Sequence, residues 1–309
     1  MRIRELVAGI VCLWMAAPAG ALPIDGACTR TSQAARAACG HEAEDDFWIA
    51  RGICANLADE GASKACRASA RESRGEMRAE CREQFAAREE LCDALGQAPY
   101  DPAIDPASFL SPAATDANPN PYFPLVPGAT WVYQKPGETI TVTVTNETKE
   151  ILGVTTMVVT DLVVDDGGEL IEDTRDYFAQ HADGTVWYFG ELVKNFENGE
   201  LANVDGSFVA GIDGAKPGII MEAAPAVGDV YRQEFALANA EDAAEVLSTT
   251  GTESVPAASC SGNCLVTRDF TPLSPDAEEN KYYAPGIGFI LEIEPETGER
   301  LELVSVTGL

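Results

Sequence analysis

Histidine is almost missing from this chain: His41 and His181 are its only two in 309 residues. A multi-histidine metal centre is therefore excluded, and a Ser-His-Asp triad would have to use one of these two. Gly-x-Ser-x-Gly, His-Glu-x-x-His, Gly-x-x-x-x-Gly-Lys-Ser/Thr and Gly-x-Gly-x-x-Gly are all lacking, so no nucleophile elbow, zinc helix or phosphate cradle is encoded and no cofactor is expected. Positive charge is scarce, with 21 Lys and Arg against 50 Asp and Glu and a net charge of −29. A field of that sign repels nucleic acid and anionic lipid surfaces, so no nucleic-acid partner is expected. Beyond residue 21 no apolar run reaches the roughly 20 residues that a spanning helix needs, so no transmembrane anchor is expected.

What is present begins with Arg2 and Arg4, an apolar run from Leu6 to Ala17, and Pro18-Ala19-Gly20-Ala21 with small residues bracketing a cleavage point. Residues 1–21 are expected to be a cleaved secretory signal peptide, which makes the mature chain secreted or periplasmic. Removing Arg2, Arg4 and Glu5 takes the net charge from −29 to −30.

Six cysteines fall at 28, 39, 54, 66, 81 and 92, in steps of 11, 15, 12, 15 and 11. The series is a palindrome centred on Glu60, inside the turn-like Ala58-Asp59-Glu60-Gly61. Steps of 11 and 15 are close to three and four helical turns, so the cysteines line one stripe on each of two helices. Residues 22–96 are expected to form an antiparallel helical hairpin with nested disulfides Cys28–Cys92, Cys39–Cys81 and Cys54–Cys66. Zinc ligation is the alternative, opposed by the absence of Cys-x-x-Cys and by a single nearby histidine, His41.

Arg67, Arg71, Arg74, Arg78 and Arg82 recur every three or four residues, one position after the cysteine stripe. Such a row is either an ordinary solvated face or a contact surface for an acidic partner, including the chain's own second domain.

Prolines crowd residues 97–128, which read as a linker whose Pro121-Tyr-Phe-Pro-Leu-Val-Pro127 end packs on the next domain. From residue 129 to 309 the hydrophobic period becomes two, and short turns such as Asp166-Gly-Gly168 and Asp183-Gly184 separate eleven strand-like runs. The expected fold class is α+β as a chain: the helical hairpin plus a C-terminal antiparallel β meander, as a barrel, half-barrel or sandwich. Cys260 and Cys264 are expected to pair locally and brace a β-hairpin.

Candidate sites are few. Asp165, Asp166 and Glu169 are the most plausible cation ligands, although their spacing also suits a plain polar turn. Trp187 and Phe189 share one face of a strand and Tyr188 the other, so Trp187 and Phe189, with Tyr282 and Tyr283, are candidates for a ligand wall as well as for core packing.

The segments Tyr122-Phe-Pro-Leu-Val-Pro-Gly-Ala-Thr-Trp-Val-Tyr133, Asp183-Gly-Thr-Val-Trp-Tyr-Phe-Gly190 and Tyr282-Tyr-Ala-Pro-Gly-Ile-Gly288 resemble those of an uncharacterised bacterial family of secreted β-rich proteins, over residues 119–309. The general plan resembles periplasmic lipoprotein carriers, whose curved sheets hold apolar ligands on a concave face, a likeness of fold only. The expected function is that of a secreted or periplasmic non-enzymatic binding or scaffold protein, holding a small apolar ligand or contacting an acidic protein partner. A hydrolase using paired carboxylates on the concave sheet is the alternative.

Overall fold

A computed structural model describes residues 26–309; the expected signal peptide lies outside the described residues. Two long helices open the chain, α1 (Ala27–Ala55) and α2 (Glu60–Leu95). Asp59 caps α2 by accepting the Ala62 amide at 2.6 Å, and the chain reverses at the centre of the cysteine palindrome. Disulfides Cys28–Cys92, Cys39–Cys81 and Cys54–Cys66 tie the helices, with Cα atoms 5.7, 5.8 and 5.5 Å apart. With each Cα about 2.3 Å from its helix axis, these distances fit two helices packed about 8–10 Å apart. Small residues permit it, because Ser32, Ala35, Ala43, Ser63 and Ala70 fill the buried seam.

The proline-rich segment is not a free extended strand. It carries a 3₁₀ turn at Pro106–Ser108 and a short helix, α3 (Pro112–Ala117), and it lies along the β domain. Leu110 N–H donates to Gln180 O and Ala182 N–H to Ser108 O, both at 2.8 Å. The Phe109 ring packs edge-on against His181 and Phe189.

Sixteen strands follow among the described residues: β1 (Thr130–Lys135), β2 (Glu138–Ile151), β3 (Val154–Asp165), β4 (Leu170–Gln180), β5 (Val186–Leu192), β6 (Asn195–Glu197), β7 (Glu200–Asn203), β8 (Phe208–Val209), β9 (Lys216–Met221), β10 (Val230–Arg232), β11 (Glu234–Phe235), β12 (Ala243–Val255), β13 (Ala258–Thr271), β14 (Ser274–Ala284), β15 (Gly288–Ile293) and β16 (Arg300–Thr307). They form one antiparallel sheet in which thirteen run in the order β10-β12-β13-β14-β15-β16-β1-β2-β3-β4-β5-β9-β11, while β6 pairs with β4 and β7, and β8 with β5. The two ends of that order belong to one stretch of chain. Val230–Arg232 pairs with β12, then Glu234–Phe235 pairs with β9, with Gln233 as the switch. The sheet is thus nearly closed into a barrel. Closure depends on Gly218 of β9, where a Cβ would fall 2.1 Å from the Gln233 carbonyl oxygen.

The Cys260–Cys264 disulfide lies within β13 rather than at a hairpin turn. There the β12–β13 register shifts around Gly251, so the crosslink braces a bulge. Four disulfides are the mark of a chain that folds in an oxidising compartment, extracellular or periplasmic. Among the described residues no helix is long and apolar enough to cross a membrane.

Two apolar clusters flank the barrel wall. The main one lines the interior and includes Trp131, Tyr133, Val144, Phe178, Tyr188 and Leu303. The second lies outside the wall, where Val158, Tyr177 and Phe189 pack under Ile104 and Phe109 of the proline-rich segment.

Candidate functional site

A cavity of about 400 Å³ occupies the barrel interior. One end is stoppered by the chain entering the barrel. Asn120 holds that stopper: its N–H donates to Gln180 Oε1 at 3.1 Å, its Nδ2 to the carbonyls of Gly184 and Glu222, and its Oδ1 accepts the Tyr122 and Phe123 amides. Phe123, Pro124 and Leu125 then line the cavity. The Phe123 ring meets Phe178 edge-on at 5.0 Å, and Phe178 stacks on Tyr188 at 4.6 Å.

The wall changes character along the strands. Strand periodicity points Met157, Val159 and Asp161 of β3 inward together. In β4–β5 the Phe178–Tyr188 pair is followed, away from the stopper, by Asp176 facing Glu191. On the opposite wall Tyr283 of β14 is followed by Lys281, which faces Glu292 of β15. The aromatic and aliphatic surface, including Trp131, Val142, Val144 and Ile220, therefore gives way to seven lining carboxylates: Asp161, Asp176, Glu191, Glu234, Asp242, Asp269 and Glu292. Among the described residues Lys281 is the only cation on this lining.

Lys281 is shared among carboxylates, with Nζ at 3.4 Å from Asp269, 3.1 Å from Glu279 and 3.7 Å from Glu292. Burial opposes its charge, but those carboxylates outweigh burial and hold it firmly protonated. Gln233 Nε2 donates to Asp269 Oδ2 at 2.9 Å. The other five lining carboxylates have no ion pair among the described residues. The Tyr188 hydroxyl donates to Asp176 at 2.6 Å and also contacts Glu191. A phenol has one proton, so serving both requires a protonated carboxyl on one side. Glu234 accepts the Asp242 amide, while Asp161 Oδ1 is buried without a hydrogen-bond partner.

Burial, reinforced by the charges of Asp176 and Glu172, pushes the Asp161 carboxyl up to about 8. Burial likewise raises Asp176 to about 7, against the Tyr188 hydrogen bond, and Glu191 to about 8 with Asp176 adding to the effect. Glu292 rises to about 7 through burial despite Lys281. Glu234 and Asp242 are raised by burial as well. Asp161, Asp176, Glu191 and Glu292 of the cavity floor therefore ionise around neutral pH.

The residues singled out in the sequence are placed as follows. Tyr283 lines the cavity; Trp187, Phe189 and Tyr282 do not. Trp187 and Phe189 share a strand face, but it is the outer one, packed against Phe109, and Tyr188 lines the cavity in their place. Asp165 caps its own turn, with Oδ1 accepting the Gly167 and Glu169 amides at 2.8 Å. Asp166 and Glu169 are exposed, and no group of three potential metal ligands forms among the described residues. In the arginine row, Arg74 and Arg78 both reach Glu44 on α1, at 3.5 and 2.5 Å, and the Arg74 guanidinium sits over the Phe47 ring. Arg82 donates to the Arg78 carbonyl, and Arg67 and Arg71 lie further toward the hairpin tip. That tip also exposes apolar surface, with Trp48 and Ile53 each 62% exposed and Ile49 and Leu57 beside them.

Carboxylates on the concave sheet are part of the hydrolase alternative, but the sequence does not single out which residues supply them. Their signal was a charge at an inward position of an apolar strand, as in Met157-Val-Val-Thr-Asp-Leu-Val-Val164, and 50 acidic residues in the chain hide such positions.

No protein family and no curated protein matches the chain. Among solved structures it is similar to a Bacteroides fragilis protein assigned as exported, with a YmcC-like fold, at 14% identity over 59% of this chain and 96% of that one, with a TM-score of 0.35. It is also similar to a Parabacteroides distasonis protein assigned as a lipoprotein, at 12% identity over 60% and 98%, with a TM-score of 0.33. At those scores neither likeness carries an argument about this chain.

Proposed function

We propose that this chain is an exported binding protein whose barrel holds a small ligand with an apolar body. The observation that carries this reading is the interior cavity of about 400 Å³, walled by Trp131, Val142, Val144, Val159 and Phe178 at its stoppered end. Cavities of that size and lining suit small-molecule ligands. An interior of this fold designed only for stability would be filled by side chains. Native mass spectrometry of the protein taken from its own compartment tests the reading. A stoichiometric small-molecule adduct supports it. A bare chain that also fails to take up the neutral probe N-phenyl-1-naphthylamine overturns it.

One observation favours hydrolysis instead. Asp176 and Glu191 are cross-strand neighbours, which puts their Cβ atoms about 4.5–5.5 Å apart, and their shared Tyr188 hydroxyl and raised ionisation suit a proton donor and acceptor. Turnover of p-nitrophenyl glycosides that is lost in Asp176→Asn would move the assignment to a hydrolase.

A further inference from the structure

From the pairing of an apolar wall with an acidic floor we infer that the ligand is a cationic amphiphile, an amine or quaternary ammonium group on a hydrocarbon body, with its charge seated among Asp161, Asp176, Glu191 and Glu234. This rests on the reading of the barrel as a ligand cavity and names the class of ligand.

The charge count is the first ground. Seven carboxylates line the cavity against one lysine, and Lys281 is already shared by Asp269, Glu279 and Glu292. Burying carboxylates with no counter-charge is costly, so such groups hold their protons up to about neutral pH unless a cation arrives to pair them. Here five have no ion pair among the described residues, and Asp161 Oδ1 is buried without a hydrogen-bond partner. The pairing is missing on the protein side.

Geometry is the second ground. Bare metal ions are a poor match, because no group of three potential ligands converges among the described residues and most of the lining beside the carboxylates is hydrocarbon or aromatic. A protonated amine donates hydrogen bonds to carboxylates and a quaternary ammonium is held by charge alone, and neither demands a fixed coordination sphere. The ligand's hydrocarbon body would lie toward Phe178, Val144 and Trp131, which line the same cavity. An anionic amphiphile meets the reverse situation, since its headgroup would join the carboxylates.

Ionisation agrees with this. Carboxyls that titrate around neutrality become charged when a cation arrives, so loading should release protons and should weaken as the pH falls.

Displacement of N-phenyl-1-naphthylamine from the folded full-length mature chain by octylamine, octan-1-ol and octanoate, in 0.15 M NaCl to screen the general surface charge, tests the inference. At pH 7.5 octylamine should displace the probe at a concentration at least 10-fold below octan-1-ol, and octanoate should be the weakest. In Asp176→Asn/Glu191→Gln the octylamine-to-octanol ratio should collapse toward one, and in the unsubstituted protein it should fall several-fold at pH 5. Equal displacement by all three, or preference for octanoate, overturns the cationic assignment while leaving the cavity reading standing. An octylamine preference unchanged both by the substitutions and by pH 5 overturns it too, as it would stem from the net surface charge. If the probe itself never binds, the cavity reading fails and the inference with it. Should the double variant lack a cooperative thermal transition, the pH comparison alone decides.

Discussion

Arg88 on α2 and Glu241, just before β12, form a two-point guanidinium–carboxylate pair, with Nε 2.9 Å from Oε2 and Nη2 2.8 Å from Oε1. Their residues are 4% and 1% exposed. Glu241 also accepts the Ala238 amide at 2.7 Å, and its neighbour Asp242 lines the cavity. The hairpin is therefore joined to the barrel one residue from the acidic floor. Gln84 adds a second tie, donating to Leu273 O at 3.0 Å.

Breaking a buried ion pair on one side leaves a lone charge and costs about 3–5 kcal/mol, whereas replacing both partners costs far less. Arg88→Met should lower the unfolding free energy by roughly that amount in denaturant titration, and Arg88→Met/Glu241→Gln should recover much of it. A single substitution costing less than about 1 kcal/mol would show that the pair behaves as a surface contact.

Stability should depend on pH in a direction set by the cavity. Asp161, Asp176, Glu191 and Glu292 ionise at about 8, 7, 8 and 7 in the folded chain, against about 4 when unfolded. Between these values the folded state holds more protons, so the unfolding free energy falls as pH rises from about 4 to about 8. Asp161 feels Asp176, Glu172 and Lys281, and Glu191 feels Asp176, Glu172 and Asp242, so neutralising one member relieves the others. Asp161→Asn should restore on the order of 2 kcal/mol at pH 8.5, since each tenfold change in an acid's ionisation constant between the two states is about 1.4 kcal/mol, and change little at pH 4.5. An unfolding free energy that rises over this range would contradict the buried, unpaired state of these groups.

Two glycines should respond in opposite ways to alanine. At Gly218 the new Cβ would strike the Gln233 backbone, 2.1 Å from O and 2.3 Å from C. Gly218→Ala should therefore cost about 2–3 kcal/mol or more, by overpacking, and loosen the strand that closes the barrel. Gly75, inside α2 with nothing near its missing Cβ, should gain about 0.5–1 kcal/mol as Gly75→Ala. Thermal melts of the two variants, together with amide exchange at Gln233, would show whether closure depends on that contact.

Much of this architecture was legible in residue spacing. The cysteine palindrome fixes where the hairpin reverses because a disulfide demands level partners, and period-two runs marked the long strands because each has an apolar side. Strand β9 escaped because Pro217 and Gly218 interrupt its pattern, and both are tolerated there by its irregular closing role. Trp187 and Phe189 illustrate a different limit. Alternation says that they share a face but not which face, and here both faces are buried, the inner one by the barrel and the outer one by Phe109. The acidic floor comes from strands far apart in sequence, Asp161 on β3, Glu191 on β5 and Asp269 on β13, so only the closed sheet brings it together.

Titration with N-phenyl-1-naphthylamine tests the central claim, a ligand cavity inside the barrel, most directly. The unsubstituted protein should enhance the probe's fluorescence saturably at one site per chain. Val142→Trp, which fills the apolar end, should abolish that signal while keeping a cooperative thermal transition, and Ile53→Ser at the exposed hairpin tip should leave it unchanged. A signal that persists in Val142→Trp, or that disappears in Ile53→Ser, would place the apolar binding surface on the hairpin and contradict the account.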